Sequence, residues 1–297
     1  MGKQRYTPCD ESISIVPLTT VEQFKTCEKL QQEIWQADPI DIIPVDILVT
    51  AQRHGGIILG AFDLYGEMIG CLFGFTGYTA VNDPLTPNHR LQHCSHFLGV
   101  SEKWRNKGVG FLLKRKQHEW ASRQGYDWIT WTYNPLEIAN ATLSIGKLGA
   151  MSRCYLPDLY GVMPNKLNEG LHTDRLEVVW DIRSEHVIKR LGEGWRIPSL
   201  KDLVLDGSYI INSSQVINDK WIGPSKTIKI PEGRQILIEI PTNFQDMREA
   251  NLNLAIDWQL HVRYALETSF RHGYTICDIV KTGDITQKAY YLLRNPL

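Results

Sequence analysis

The sequence predicts an α+β fold. It reads as a mixed, mostly antiparallel twisted sheet flanked by helices, with a smaller C-terminal α+β domain. Three observations carry this. Strand-length apolar runs alternate with helical-period segments as far as Ile182. Two early runs, 57–63 and 67–78, are separated only by Leu64-Tyr65-Gly66, which suits a hairpin and hence antiparallel pairing. After Ile182 the composition turns charged before strands and one long amphipathic helix resume.

In chain order, 12–18 alternates Ile13 and Ile15 with polar neighbours and reads as a strand. Thr19 or Thr20 is placed to cap a helix over 21–35, where Phe24, Cys27, Leu30 and Ile34 recur at helical spacing. Asp38-Pro39 breaks it, and a short helix over 45–53 stops at Gly55-Gly56. The hairpin strands follow, then a Pro-containing loop over 81–89 and a strand over 91–100. A helix over 109–124 turns Val109, Leu112, Leu113 and Trp120 to a core and ends at Gly125. A strand over 127–133, a helix over 137–148 and strand-like runs at 152–160 and 176–182 complete the first half.

The expected division is a first domain over 1–182, a linker over 183–203 and a second domain over 204–297. The second half holds a strand at 236–240, a helix over 246–271 and closing strands at 274–280 and 290–293. Arg123-Gln124-Gly125-Tyr126 is echoed by Arg271-His272-Gly273-Tyr274. Either the second half is a degenerate copy of the first half's centre, or helix–Gly–aromatic–strand is shared punctuation.

Composition narrows the classes. The 297 residues are 43% hydrophobic, enough for one or two real cores. A formal net charge of -1 supplies no global field toward nucleic acid or an anionic membrane. The 6 cysteines are scattered, with no CxxC pair or zinc-type spacing, so no metal is expected. Residues 1–10 are polar, without a secretory leader pattern, and no apolar run spans a bilayer. Reduced thiols in a cytoplasmic protein are the expectation.

The chemistry concentrates between His93 and Gln124. Leu98, Gly99 and Val100 end a strand, and Arg105, Asn106, Lys107, Gly108, Val109, Gly110 and Phe111 open a helix. The first turn of a helix has backbone N–H groups without internal partners, and its dipole adds positive charge. Glycines there let backbone approach an anion closely. A dinucleotide fingerprint fits less well: Arg105 takes its first position, and the next strand ends in Thr132-Tyr133-Asn134 without the acidic residue.

The Arg-x-x-Gly-x-Gly turn in this strand–helix context resembles the acyl-CoA signature of the GNAT superfamily of N-acyltransferases. The resemblance runs over about 12–182 in order of elements and is sharp at 98–113. It implies acetyl-CoA or another acyl-CoA as co-substrate, with no metal. The N–H groups from Arg105 through Phe111 would hold the CoA pyrophosphate, and the backbone of Leu98, Gly99 and Val100 would pair with the pantetheine arm. Lys147-Leu148-Gly149-Ala150 matches a second family run apart from Ala150, and Asn140 would touch the CoA arm.

Many members carry a general-acid tyrosine four residues before that glycine; here the residue is Ile145. Tyr155 and Tyr160 are the candidate acids. His93 and His96 are the candidate bases; three residues apart on one strand, they face opposite sides. Lys114-Arg115-Lys116 reads as a solvated helix face, or as a contact for the 3′-phosphate. Arg53, His54, Arg153 and Arg175 are candidates for binding an acidic acceptor or acyl group, and His172 and Asp174 read as a polar loop. The expected activity is direct transfer of a short acyl group, acetyl or succinyl, to the amine of a small molecule. The alternative is a CoA-binding sensor or interaction protein without turnover.

Overall fold

The computed structural model describes residues 12–36, 38–78, 91–163, 169–217, 221–282 and 288–295. The polar terminus 1–10, Ala37, the 81–89 loop and Gly283-Asp284 lie outside the described residues.

Packing divides the chain into two compact units. The first holds 1–131, 164–169 and 179–194; the second holds 132–163, 170–178 and 195–297. The expected boundary at 183–203 is therefore corrected. Much of that stretch is a helix, Glu185–Glu193, belonging to the first unit and capped by Ser184, whose Oγ accepts from Val187 N at 3.3 Å. The division instead falls inside two strands. A composition shift marks solvent exposure, not the place where packing changes partner.

The first unit contains β1 (Ser14–Pro17), α1 (Val21–Trp35), α2 (Val45–Arg53), β2 (Ile57–Phe62), β3 (Met68–Tyr78), β4 (Leu91–Val100), α3 (Val109–Arg123) and β5 (Trp128–Tyr133) as far as Trp131. Strand order is β1-β2-β3-β4-β5, antiparallel through β4 and parallel between β4 and β5. Helix α1 starts with a capping box. Thr20 Oγ1 accepts from Gln23 N at 3.3 Å, and Gln23 Oε1 accepts from Thr20 N at 3.2 Å.

Successive strand residues point to opposite faces, so this sheet buries both. Phe24, Cys27 and Leu30 of α1 and Leu48 of α2 pack on Ile58, Cys71 and Phe73. Val109 and Leu113 of α3 pack on Ile57, Leu59, Ala61 and Leu72 from the other side. Each fully buried aliphatic or aromatic side chain contributes about 1.5–3 kcal/mol. Among the described residues, Cys27, Cys71, Cys94, Cys154 and Cys277 form no disulfide.

The second unit holds α4 (Ile138–Ala141), continued by a π-helical stretch Thr142–Lys147, then β6 (Met151–Leu156) and the first residues of β7 (Arg175–Asp181). The expected single helix over 137–148 thus widens midway, and Leu148 N donates to Leu143 O at 3.0 Å, five residues back. After α5 (Glu185–Glu193), which is in the first unit, come α6 (Leu200–Leu205), β8 (Tyr209–Ile210), β9 (Asn212–Val216), β10 (Ile222–Ile228), β11 (Gln235–Ile240), α7 (Phe244–Ala250), α8 (Leu252–Arg271), β12 (Thr275–Lys281) and β13 (Ala289–Arg294). The helix expected over 246–271 is two. Asn251 leaves helical geometry at φ -154° and caps α8 through Leu254 N at 3.2 Å.

In this unit β6, β12, β13, β11 and β8 lie in that order, and β9–β10 form a separate pair. Leu254, Trp258, Val262 and Ala265 are the buried face of α8. The echo of the first half stops at this topology. β4 and β5 are neighbours around α3, whereas β13 lies between β11 and β12.

Candidate functional site

The turn between β4 and α3 is built by its own chain. Ser101 N donates to Ile69 O at 2.9 Å, Trp104 N to Ser101 O at 2.9 Å and Arg105 N to Glu102 O at 3.2 Å. Arg105 then reaches back, and its Nε donates to Val100 O at 3.3 Å. The end of the strand and the start of the turn are thereby tied together. Asn106 has φ 63° and Gly108 φ 89°. Both are left-handed, which glycine adopts without penalty and asparagine more readily than most residues.

Gly108 is the N-cap of α3 and has no side chain to cap with. The first bond of the helix is Leu112 N to Gly108 O at 3.0 Å. The N–H groups of Val109, Gly110 and Phe111 therefore precede it and point outward with the positive end of the helix dipole. The cradle is narrower than the sequence implied, because the Arg105 N–H is already taken within the turn. Lys107 lies with Nζ 5.1 Å from the Trp104 ring centroid and adds positive charge at the turn.

Strand β4 leads into this cradle with one irregularity. Its register against β3 shifts between Gly74↔Ser95 and Phe73↔Phe97, so His96 is the extra residue of a bulge. The bulge reverses the alternation. His93 and Ser95 face α3, Phe97 packs on Trp35 of α1 with ring centroids 5.5 Å apart, and Leu98 and Val100 face the α3 side again. On its other edge β4 pairs with β5 at His93↔Ile129 and Cys94↔Thr130. The described register ends there, and β4 continues for six residues beyond it, from Ser95 to Val100.

The two histidines differ sharply. His93 is fully buried against Trp120 and Tyr126, with Nε2 3.0 Å from Gln117 Nε2. Burial, with the Lys114 charge nearby, lowers its pKa to about 3. Its Nδ1 has no partner among the described residues. So placed, His93 is a buried, neutral packing group. His96 is exposed at one edge and ringed by Phe73, Phe75 and Phe97 at 5.8, 6.0 and 6.3 Å. That partial desolvation lowers its pKa. Of the two histidines, only His96 is exposed to solvent.

Lys114 departs from the reading as a solvated residue. It is 3% exposed, donates from Nζ to Ser95 Oγ at 2.8 Å and lies 3.5 Å from the centroid of the Trp131 ring. Ser95 Oγ donates in turn to Gln117 Oε1 at 3.2 Å. Helical spacing held the signal, since Lys114 and Gln117 lie on the face of Val109, Leu113 and Ala121. Lys116 does face outward and pairs with Glu119 at 3.2 Å.

Asn140, Ile145, Tyr155, Tyr160, Asp174 and Arg175 belong to the second unit, whereas Arg53 and His54 belong to the first. Asn140 is exposed. Ile145 is fully buried and serves packing. Tyr155 OH donates to Asp174 Oδ2 at 2.6 Å, and burial, with this carboxylate second, pushes its pKa far up. Asp174, read as part of a polar loop, is fully buried and accepts two bonds from Arg263, at 2.8 and 2.6 Å. Tyr160 is 51% exposed, with OH 3.1 Å from Thr132 Oγ1 and the Arg175 guanidinium 5.4 Å from its ring centroid. A shallow cavity of about 560 Å³ in this unit is lined by Pro198, Leu200, Val204, Leu205 and Lys281 and includes none of these residues.

The bulged strand β4 thus outruns its pairing with parallel β5 just ahead of the glycine-capped helix α3. No family model and no curated protein matches the sequence. Solved structures similar to the chain include Arabidopsis thaliana NAA60 in complex with a bisubstrate analogue, at 14% identity over 57% of this chain and 97% of that one, TM-score 0.47. The NatC complex bound to Gag peptide and CoA aligns at 18% identity over 57% and 98%, TM-score 0.44. An aminoglycoside acetyltransferase from an uncultured soil metagenomic sample, in complex with sisomicin, aligns at 14% over 42% and 80%, TM-score 0.35. Each similarity covers part of this chain, at a TM-score below 0.5.

Proposed function

We propose that this chain is an acyl-CoA-dependent N-acyltransferase that moves a short acyl group, acetyl or succinyl, to the amine of a small molecule in a ternary complex. One observation carries the reading: the N–H groups of Val109, Gly110 and Phe111 open at the end of a strand whose last six residues continue past its pairing with β5. The N–H groups take the CoA pyrophosphate. The free edge of Leu98, Gly99 and Val100 takes the pantetheine arm as an added strand. A backbone N–H in this stretch polarises the thioester carbonyl as an oxyanion donor.

His96 is the base. Its lowered pKa keeps the imidazole neutral near pH 7; solvent takes the first proton from the acceptor's ammonium, and His96 is ready to take the second, which the amine nitrogen loses as it bonds to the carbonyl carbon. The amine attacks the thioester carbon, and CoA thiolate leaves. Orientation of the two substrates is the protein's main contribution. Tyr160, exposed and close to Arg175, is the tyrosine open to a substrate; Tyr155 is committed to Asp174.

Ile145 favours a second reading, a CoA-binding module without turnover, because a buried isoleucine cannot protonate a thiolate. Thiol release from acetyl-CoA and succinyl-CoA with an amine panel separates the two. Release above the hydrolysis background supports the enzyme. CoA binding without release across all donors supports the module and ends the enzyme reading.

A further inference from the structure

Lys114 is buried where the described pairing of β4 with β5 ends. Cys94 is the last β4 residue in register with β5, and Ser95, the next, accepts the Lys114 Nζ bond at 2.8 Å. Trp131, on the β5 side, offers its ring face 3.5 Å from Nζ. A hydroxyl oxygen and an indole face both favour a charged ammonium over a neutral amine. No carboxylate is paired with it among the described residues. An uncompensated buried charge is costly to retain. Its two partners are a hydroxyl and a ring face, while burial disfavours the charged form, so the ammonium gives up a proton more readily than an exposed lysine does.

We propose that the Lys114 ammonium is the general acid for the departing thiolate, in place of the tyrosine that this chain lacks. The inference rests on the acyl-CoA reading of the cradle. As the amine nitrogen bonds to the carbonyl carbon, the C–S bond breaks and its electron pair goes to sulfur. Nζ gives sulfur a proton, leaving CoA-SH and a neutral amine that solvent reprotonates after product release. The proton lost by the attacking amine goes separately to His96.

The surroundings suit the step. Burial holds the Lys114 pKa well below the ordinary lysine value, and the nearby Cys94 opposes this. The titratable groups facing it come from β4: His93, neutral across the working range, and Cys94. From β5 it meets Trp131, which does not titrate.

The test is single-turnover thiol release from acetyl-CoA by the full chain between about pH 6 and 10, with K114M and S95A beside wild type. Wild type is expected to lose rate about tenfold per pH unit on an alkaline limb. K114M is expected to release thiol about 100-fold more slowly, without that limb. Its acyl-CoA affinity and melting temperature should not fall, as replacing a buried charge by an apolar chain of similar volume is often neutral or stabilising. S95A should move the limb while keeping most of the rate. A wild-type profile without an alkaline limb overturns the assignment even if K114M is insoluble, and so does a K114M that keeps both rate and limb. A wild type that releases no thiol overturns the acyltransferase reading and this assignment with it.

Discussion

Asp174 and Arg263 form a two-bond ion pair, with Nε at 2.8 Å and Nη2 at 2.6 Å from the two carboxylate oxygens, and the carboxylate is fully buried. Tyr155 adds a third bond to it. Removing one partner of such a pair leaves an unpaired buried charge. Arg263→Met should destabilise the protein by about 3–5 kcal/mol. Tyr155→Phe should cost about 1–3 kcal/mol, with kcat changed little. Denaturant melts and steady-state rates check both; a Tyr155→Phe protein of native stability and lost turnover would restore Tyr155 as the acid.

The base assignment predicts a pH profile. A neutral imidazole is required, so kcat/KM should fall on the acid side as His96 protonates, below its ordinary pKa near 6.5 because the shift is downward. His96→Gln should lower kcat by about 10²-fold and remove that limb. His93→Gln should leave the limb in place. An unchanged profile in His96→Gln gives the proton to a water chain.

His93 makes a separate statement about stability. Its folded pKa is about 3, below the unfolded 6.5. Between those values the unfolded chain binds a proton that the folded chain does not, so stability rises with pH across that window. It is fully present above pH 6.5 and is lost as pH falls toward 3, by up to about 5 kcal/mol. His93→Leu should flatten this slope relative to wild type. Equal slopes in urea melts at pH 4 and 7 would show that His93 already protonates in the folded state.

The cradle predicts binding effects without loss of the fold. Gly108 sits at φ 89° with no heavy atom within 4 Å of an added Cβ. Ala there meets strain alone, about 1 kcal/mol, and tilts the first turn of α3. Acyl-CoA affinity should fall by about tenfold or more, measured by calorimetry. Leu113→Ala, by contrast, should cost about 2–5 kcal/mol of stability, because Leu113 is fully buried under the sheet.

Much of this molecule is written locally. Thr20 and Gln23 announce the α1 capping box, and helices α1 and α2 and strand β4 lie over the spans that the pattern indicates. Local signals suffice where caps, glycine stops and apolar period agree. They fail where packing decides. The nine-residue helix α5 read as a linker because its charged face outnumbers its apolar one. The π-helical widening after α4 left no pattern, although Gly146 proves to sit 3.0 Å from the Trp195 indole once a Cβ is drawn.

By itself the sequence determined the class of fold and the glycine-bearing turn ahead of α3, because φ freedom at Gly108 and the open first turn of α3 are properties of a few adjacent residues. Only the tertiary structure decided which side chains meet. The bulge at His96 turned one histidine outward and buried the other, and parting strands placed Lys114 between Ser95 and Trp131. Charge and polarity name a residue's chemistry, but register and packing assign its neighbours, and neighbours set its protonation.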